Sequence, residues 1–190
     1  MTKIGFIRHG CTDWNKDRRA QGHTDIPLCE EGYVQAEKLA NRLAGETWNV
    51  IYSSDLKRAK QTAETIAKRI KDIDIHLDAR LRERHGGQIE GTTVEERVEK
   101  WGENWRGLDL GMETGEEISA RGMACLEEII ANHQDENILI VSHGAFIKQI
   151  LRTLFPDKDV EGSLDNCSVT VLKTKDRTWD LTLHNCVKHI

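Results

Sequence analysis

The chain opens on Ile4-Gly5-Phe6-Ile7-Arg8-His9-Gly10, and the predicted fold is built outward from this stretch. It begins as an apolar run, typical of a buried strand, and it ends in a charged residue, a titratable ring and a glycine. The strand holds the last side chains rigidly, and the glycine lets a ligand approach the backbone closely. We therefore predict a first strand over residues 3–8 that delivers Arg8 and His9 to a binding site.

The same pattern recurs far down the chain as Ile138-Leu139-Ile140-Val141-Ser142-His143-Gly144. Ligands of open α/β sheets bind at the carboxyl ends of the strands. Two strands that each deliver a His-Gly pair to that edge predict a single site that contains both His9 and His143.

Composition and charge argue against several classes of partner. The 190 residues suit one domain, 1–190, and the 38% hydrophobic and 31% charged fractions are ordinary for a globular protein. The net charge of −5 and the pI of about 5.9 argue against nucleic-acid binding. An anionic substrate must be bound by a local cationic pocket, because the overall field repels it.

Cellular location is predicted from the apolar runs and the cysteines. No apolar run approaches the ~20 residues of a membrane span, and a strand is predicted within the first few residues, so we expect neither a membrane partner nor a signal peptide. The cysteines show no C-x-x-C pair, which suits a reducing cytoplasm and argues against disulfides and structural zinc. They are Cys11, Cys29, Cys125, Cys167 and Cys186. We expect a cytoplasmic protein, and the choice between monomer and homodimer stays open.

Strands and helices alternate along the chain. Further strands are predicted over residues 49–52, 73–77 and 137–142, and helices over 30–44, 55–70, 93–101, 115–133 and 145–154. Two β-rich runs, 168–174 and 179–183, are expected to pair as a hairpin around Lys175-Asp176-Arg177. The alternation predicts an α/β fold, a three-layer α/β/α sandwich with a mostly parallel central sheet and helices on both faces.

Two polar segments are expected to have functional roles. Residues 9–30 show no helical or alternating period, and a loop of this length inside a domain is usually functional. Residues 84–115 are predicted to form a small cap or substrate-specificity insertion, with Trp105 as its anchor. Ser53-Ser54-Asp55 and Thr114 are predicted to cap the helices that follow them.

Five charged or titratable residues fall at strand ends or in the turns that follow, where a parallel sheet brings side chains together. They are Arg8, His9, Arg58, Glu83 and His143. In the first turn of a helix a cation opposes the macrodipole at a cost of about 0.3 kcal/mol or more, so an anionic ligand explains Arg58 better than helix stability does. Two arginines and two histidines in one cleft repel each other unless a dianion lies among them. A phosphate group meets that need, because its oxygens match guanidinium groups.

A phosphate site of this kind has a chemistry available to it. An imidazole held at a strand end can attack phosphorus and become a phosphohistidine, and positioned cations can stabilise the negative charge that gathers on the phosphoryl oxygens. The departing alkoxide needs a proton, for which Glu83 is the well-placed carboxyl candidate. The simpler interpretation of Glu83 is a surface salt bridge with Arg82 or Arg84.

Other chemistries fit the spacing less well. The thiol-phosphatase pattern requires an arginine six positions after the cysteine, and position 17 after Cys11 is Asp17. A zinc site with His9, His143 and a third ligand stays open, although no H-E-x-x-H or similar spacing supports it. No G-x-x-x-x-G-K-S/T occurs, which argues against phosphoryl transfer by a P-loop.

Several motifs occur together in one order between residues 4 and 146. They are Arg8-His9-Gly10-Cys11-Thr12-Asp13-Trp14-Asn15, Gln21-Gly22 ahead of Asp25-Ile26-Pro27-Leu28, Ser53-Ser54-Asp55-Leu56-Lys57-Arg58-Ala59-Lys60-Gln61-Thr62-Ala63, Leu81-Arg82-Glu83-Arg84 and Val141-Ser142-His143-Gly144. With these motifs the chain resembles the histidine phosphatase, or phosphoglycerate mutase-like, superfamily. The set is highly specific, although Arg-His-Gly alone would be a weak signal.

The resemblance implies a role for each matching residue. His9 would be the transiently phosphorylated nucleophile, and Glu83 the proton donor that later activates water. The phosphoryl group would be held by Arg8, Arg58 and His143 with help from Asn15, and the substrate would lie near Gln21, Gly22 and Gly144. The resemblance further implies that the reaction needs no metal or other cofactor and acts on a small phosphorylated metabolite. Cys11 departs from the family, where glutamate or glutamine is common, and we expect only a small effect.

Phosphatases and mutases of this kind both begin by phosphorylating the histidine, and they differ in whether water or a bound phosphoglycerate accepts the phosphoryl group. The resembling mutases are longer, with a tyrosine after Glu-Arg-His and a later pair of adjacent arginines. Here Gly86 follows Glu83-Arg84-His85, and residues 86–142 contain no Arg-Arg. A shorter cap leaves the pocket more open to water, so we expect a metal-independent phosphatase, with a cofactor-dependent phosphoglycerate mutase as the alternative. A non-catalytic phospho-ligand binding module is disfavoured, because every catalytic role is filled.

Overall fold

A six-stranded sheet forms the centre of the molecule in the computed structural model, which describes residues 1–158, 160, 162–175 and 178–190. Its strands are β1 (Thr2–Arg8), β2 (Val50–Ser53), β3 (Asp74–Leu77), β4 (Asn137–Ser142), β5 (Val169–Lys175) and β6 (Thr178–Cys186). They lie in the order β3-β2-β4-β1-β5-β6. The first four strands of that order run parallel, whereas β5 and β6 pair antiparallel, which confirms the mostly parallel sheet.

Helices cover both faces of the sheet. The α-helices of the described chain are α1 (Asp13–Lys16), α2 (Glu30–Leu43), α3 (Lys57–Ala67), α4 (Val94–Trp101), α5 (Gly115–Asn132) and α6 (Gly144–Leu154). Neighbouring β1 residues point to opposite faces: Phe6 packs in a core with α5 and α6, and Ile7 packs in a second core with α2 and α3. Burial on both faces explains the continuous apolar runs of β1 and β4. The predicted three-layer α/β/α sandwich is confirmed.

The register of β1 and β4 places their last residues side by side. Arg8 pairs with Ser142, and the amide of His9 donates to the carbonyl oxygen of Ser142 at 3.0 Å. His9 and His143 are therefore the first residues beyond two adjacent parallel strands, at the same edge of the sheet.

Two predictions about local structure were wrong. The helix expected over 55–70 begins at Lys57, and its N-cap residue, Leu56, makes no side-chain capping bond. Ser54 Oγ accepts from the amide of Leu56, the N-cap residue itself, at 3.3 Å and lies 2.9 Å from His143 Nε2. Asp55 accepts from Arg82 at 2.7 Å. The segment 9–30, predicted to lack a helical period, contains the short helix α1.

Other local predictions agree with the structure. Thr114 caps α5 by accepting from the amide of Glu117 at 3.2 Å. The strands of the predicted hairpin are present as β5 and β6, and Asp176 and Arg177 of its expected turn lie outside the described residues.

Residues 84–115 fold beside the carboxyl edge of the sheet. They contain α4 and the 3-10 helices Gly87–Ile89 and Trp105–Gly107. Trp105 is 5% exposed, and two guanidinium groups lie against its ring, that of Arg97 at 5.1 Å and that of Arg106 at 4.4 Å from the centroid. Gly91 donates to the carbonyl of Ala20 at 2.8 Å, so this segment is bonded to the loop after α1. Its role as a specificity cap stays a prediction.

No helix in the described ranges combines the length and the hydropathy needed to cross a bilayer.

Candidate active site

His9 and His143 form the centre of the site. They are 2% and 0% exposed, and the centroids of their rings lie 5.1 Å apart with the planes tilted by 59°. The structure thus brings the two His-Gly motifs together at one point, as the recurring strand pattern predicts.

The tautomer of His9 follows from the hydrogen bond between its ring and the backbone. Nδ1 lies 2.7 Å from the carbonyl oxygen of Gly10. A carbonyl can only accept, so Nδ1 carries the hydrogen and Nε2 carries the free lone pair. The ring therefore presents Nε2 as a nucleophile.

Both imidazoles are kept neutral by their surroundings. Burial lowers the pKa of His9 well below its usual value, and the guanidinium groups of Arg58 and Arg8 lower it further. Burial and Arg58 lower the pKa of His143 in the same way. A neutral His9 keeps the lone pair that attack on phosphorus requires.

Ser54 orients the ring of His143. The Ser54 hydroxyl lies 2.9 Å from Nε2, and no side chain or backbone group of the described chain bonds to the buried Nδ1. We assign the hydroxyl as the donor to Nε2, which leaves the Nδ1–H as a donor toward a ligand. The sequence motif contains Ser54, but only the structure relates it to His143.

Two arginines lie beside the histidines. Arg58 is 0% exposed, and its two Nη atoms donate to the carbonyl oxygens of Thr24 at 3.0 Å and Gly22 at 2.8 Å. Burial lowers the pKa of Arg58 to about 10, which still leaves the side chain charged at neutral pH. Arg8 donates through Nη1 to the carbonyl of Leu164. Burial lowers the pKa of Arg8, and the nearby Glu83 carboxylate opposes that shift.

Buried polar atoms without a hydrogen-bond partner concentrate in this site. Among the described residues there are six such side-chain atoms, and two of them are the indole nitrogens of Trp48 and Trp105. The other four are Arg8 Nε, Gln21 Oε1, Arg58 Nε and His143 Nδ1. An unpartnered buried donor costs about 1–3 kcal/mol, so three donors around His9 favour an anion that accepts from all of them.

A bend after α1 brings Gln21 and Gly22 to the site. Gly22 has a φ of +50°, and a Cβ there would clash with the carboxylate of Glu90, so only glycine fits. Glu90 accepts from the amides of His23 and Thr24, each at 2.9 Å. The bend is thereby tied both to residues 84–115 and, through the Gly22 carbonyl, to Arg58.

Glu83 lies at the amino terminus of α6. Its Oε1 accepts from the amide of Phe146 at 2.9 Å, and its Oε2 accepts from the amide of Ala145 at 3.2 Å. Gly144, the first residue of α6, lies against Arg8: a Cβ at 144 would be 3.4 Å from Arg8 Nε. The carboxylate and the helix terminus therefore border the same space as the arginine.

Asn15 is held by Asn166, a residue outside the motifs of the sequence. Its Oδ1 accepts from the amide of Thr12 at 3.1 Å and from Asn166 Nδ2 at 3.3 Å, so Nδ2 is the group of Asn15 that can contact a ligand. Asn166 Nδ2 also donates to the carbonyl of His9 at 2.9 Å. Nothing local in the sequence marks Asn166, because its place depends on β5 pairing with β1.

The described ranges contain no group of three His, Cys, Asp or Glu side chains that could hold a metal ion.

Comparison with known proteins identifies the family. The model of the histidine phosphatase superfamily (branch 1) matches residues 4–187. The chain belongs to the histidine phosphatase superfamily. Two relatives of this histidine phosphatase each align with 100% of it: an uncharacterized phosphatase, PhoE, of Bacillus subtilis (33% identical, 97% of the relative) and a metal-independent phosphoserine phosphatase of Arabidopsis thaliana (35% identical, 84% of the relative).

A solved structure agrees with these relatives. A phosphoserine phosphatase mutant from Entamoeba histolytica, in complex with phosphoserine, is 31% identical to this histidine phosphatase, covers 100% of both chains and superposes with a TM-score of 0.85. Proteins named probable phosphoglycerate mutase are also among the relatives, with 33% identity over 94% of this chain and 88% of the relative from Salmonella paratyphi A. The histidine phosphatase described here is a phosphoric monoester hydrolase.

Proposed function

We propose that the protein hydrolyses small phosphomonoesters without a metal ion, by transferring the phosphoryl group first to Nε2 of His9 and then to water. One observation carries the proposal: Arg8 Nε, Arg58 Nε and His143 Nδ1 are buried donors without a partner around the neutral imidazole of His9. A phosphoryl group accepts through three oxygens, and positioned donors stabilise the charge that develops on those oxygens.

In the first step, the lone pair on His9 Nε2 attacks phosphorus and the bond from phosphorus to the ester oxygen breaks. The leaving alkoxide takes the proton of the Glu83 carboxyl group, so a neutral alcohol departs and Glu83 becomes a carboxylate. The guanidinium groups of Arg8 and Arg58 stabilise the negative charge on the phosphoryl oxygens.

In the second step, the Glu83 carboxylate accepts a proton from water as the water oxygen attacks phosphorus. The P–N bond breaks, its electron pair returns to His9 Nε2, and inorganic phosphate leaves. The proton that Glu83 gives to the alcohol in the first step is thus replaced by water in the second, and His9 regains its lone pair.

The substrate is proposed to be a small phosphorylated metabolite. The names of two relatives include phosphoserine, which supports a short, charged alkyl phosphate. A surface depression of about 500 Å³ lies beside the segment that carries Glu83, because Arg82, the residue before it, is part of the lining. Its lining includes His23, Arg82, His85, Met112 and Arg121. We propose that residues 84–115, which supply part of this lining, select the substrate.

Phosphoglycerate mutase activity is the second candidate, supported by relatives that carry that name. The short segment after Glu83, without an Arg-Arg pair, favours hydrolysis. Release of phosphate from a panel of metabolites, assayed beside the interconversion of 3-phosphoglycerate with and without 2,3-bisphosphoglycerate, separates the two activities.

Phosphoenzyme trapping tests the proposal directly. Acid quenching during turnover of a radiolabelled substrate is expected to leave an acid-labile, base-stable adduct on His9 of the wild type. His9→Ala should lose both the adduct and hydrolysis of p-nitrophenyl phosphate, whereas His184→Ala on the exposed side of β6 should keep both. Substantial turnover by His9→Ala would show that His9 is not the nucleophile. If EDTA abolished the activity and added metal restored it, the reaction would require a metal ion.

A further inference from the structure

Arg121, on α5, is bonded to the segment that carries Glu83. Its Nη1 donates to the carbonyl oxygens of Arg80 at 2.7 Å and Arg82 at 2.9 Å, and its Nη2 donates to the carbonyl oxygen of Glu83 at 3.1 Å. One guanidinium thus bonds to three backbone carbonyls within residues 80–83, the last of them that of the proposed proton donor.

Glu113 completes the coordination of that guanidinium. Arg121 Nε donates to Glu113 Oε1 at 2.6 Å and Nη2 donates to Oε2 at 2.9 Å, between side chains that are only 20% and 14% exposed. Burial would raise the pKa of Glu113, but hydrogen bonds from Arg121 and from the amide of His85 outweigh it and hold the pKa below its usual value. Glu113 is therefore ionised at neutral pH, and its carboxylate faces the Arg121 guanidinium.

These contacts use the full donor capacity of the side chain. A guanidinium has five N–H donors, and Arg121 makes five hydrogen bonds to oxygen atoms. Its guanidinium also lies 5.1 Å from the ring of Phe146, the residue whose amide donates to Glu83 Oε1. Lysine, with three donors from one nitrogen, cannot reproduce this arrangement.

Glu83 is consequently held from two directions. Arg121 fixes its backbone, and the amides of Ala145 and Phe146 orient its carboxyl group. We infer that Arg121 and Glu113 form a positioning pair that sets the Glu83 carboxyl group against the ester oxygen of the substrate. The inference rests on the proposed function, because it concerns the protonation of the leaving group.

The leaving group provides a readout that a general loss of structure would not change. An alkyl phosphate depends on Glu83 for its proton, whereas p-nitrophenyl phosphate releases a stable anion that needs little protonation. A displaced Glu83 therefore lowers turnover of the alkyl phosphate selectively. A displacement of about 1 Å can cost on the order of 100-fold in rate.

The experiment measures kcat/KM for p-nitrophenyl phosphate and for an alkyl phosphate, glycerol 3-phosphate or phosphoserine, whichever the wild type hydrolyses faster. The variants are Arg121→Met and the nearly isosteric Glu113→Gln, with Glu83→Gln as the reference. Arg80→Met is the matched control, because Arg80 lies on the same segment and its side chain pairs with Asp78 and Glu128 instead. Thermal unfolding of each variant records whether it is folded.

We expect Arg121→Met and Glu113→Gln to lower kcat/KM for the alkyl phosphate by roughly 10- to 100-fold and for p-nitrophenyl phosphate by less than about threefold. The loss should lie in kcat; a loss confined to KM would indicate a binding contact with the leaving group and would overturn the positioning role. Arg80→Met should keep the wild-type ratio. If Glu113→Gln is folded and lowers kcat/KM for both substrates equally, or for neither, the positioning role is overturned. A selective loss in Glu83→Gln would then still support the proposed function. If Glu83→Gln itself shows no selectivity, the proposed role of Glu83 fails and the positioning role fails with it.

Discussion

The ring centroids of His9 and His143 lie 5.1 Å apart, although one residue follows the first strand and the other follows the fourth. The contact exists because β1 and β4 are parallel neighbours in register from Lys3 and Asn137 to Arg8 and Ser142. A one-residue slip would turn every side chain of one strand to the opposite face. The same register that buries the two cores therefore sets the distance between the two rings.

Glu83→Gln should separate substrates by their leaving groups. Glutamine keeps the size of the side chain but has no carboxyl proton, so kcat/KM for alkyl phosphates should fall by about 10²- to 10⁴-fold. Hydrolysis of p-nitrophenyl phosphate should fall far less. Glu116→Gln, at an exposed position of α5, serves as the control. Equal losses on both substrates would contradict the role of proton donor.

Arg58→Lys should weaken both catalysis and anion binding. The Arg58 guanidinium bonds to the carbonyls of Gly22 and Thr24 and still has Nε for a ligand, whereas one ammonium cannot serve all three. We expect kcat/KM to fall by roughly 10²- to 10³-fold and inhibition by inorganic phosphate to weaken. Arg69→Lys, an exposed arginine that pairs with Glu37, should change neither. An unchanged inhibition constant for phosphate in Arg58→Lys would show that Arg58 does not contact the anion.

Acid should destabilise the protein through its buried histidines. The pKa values of His9 and His143 are lowered in the folded state, so between those values and the unfolded value of about 6.5 the unfolded chain binds more protons. The contribution of the two neutral histidines to the free energy of unfolding is therefore complete above about pH 6.5. It is lost as the pH falls below that value. Urea unfolding at pH 7 and pH 5 measures this loss. His143→Asn should reduce it, and His184→Asn should not; an equal pH dependence in all three proteins would exclude His143 as a contributor.

Asn166→Ala should impair catalysis without contact to substrate. The side chain donates to the His9 carbonyl at 2.9 Å and to Asn15 Oδ1 at 3.3 Å. Two hydrogen bonds of about 1 kcal/mol each correspond to a loss of roughly 30-fold if both act in the transition state. Kinetics with p-nitrophenyl phosphate measure the effect, and Asn132→Ala on the exposed end of α5 is the control. A wild-type kcat/KM in Asn166→Ala would show that Asn15 and His9 hold their places without it.

The elements that could be predicted from the sequence are the strands that are buried on both faces and the helices that are buried on one face. The short apolar runs of β1 and β4 are typical of strands covered on both faces, and parallel pairing of such strands brings Arg8, His9 and His143 to one edge. The apolar stripe of α5 and its cap at Thr114 were also predictable, because both depend on residues within one or two turns of the helix.

Features that depend on distant partners were not predictable. Ser54 resembles a helix cap in the sequence, yet it bonds to His143, and Asp55 bonds to Arg82. Arg121 and Asn166 carry no local pattern, because their partners lie on other elements. A side chain of this kind is assigned only after the packing of the elements is known.

The position of β1 between β4 and β5 also governs how the protein is made. At about 5–20 residues per second, a ribosome needs roughly 7 to 27 s after adding Arg8 to reach Ser142, its partner in β4. During translation the nascent strand, with apolar Ile4, Phe6 and Ile7, has neither neighbour, and such unpaired apolar strands are prone to aggregate. His9 is thus synthesised well before the two strands that flank β1, and it reaches its place in the site only when β4 and β5 have paired with β1.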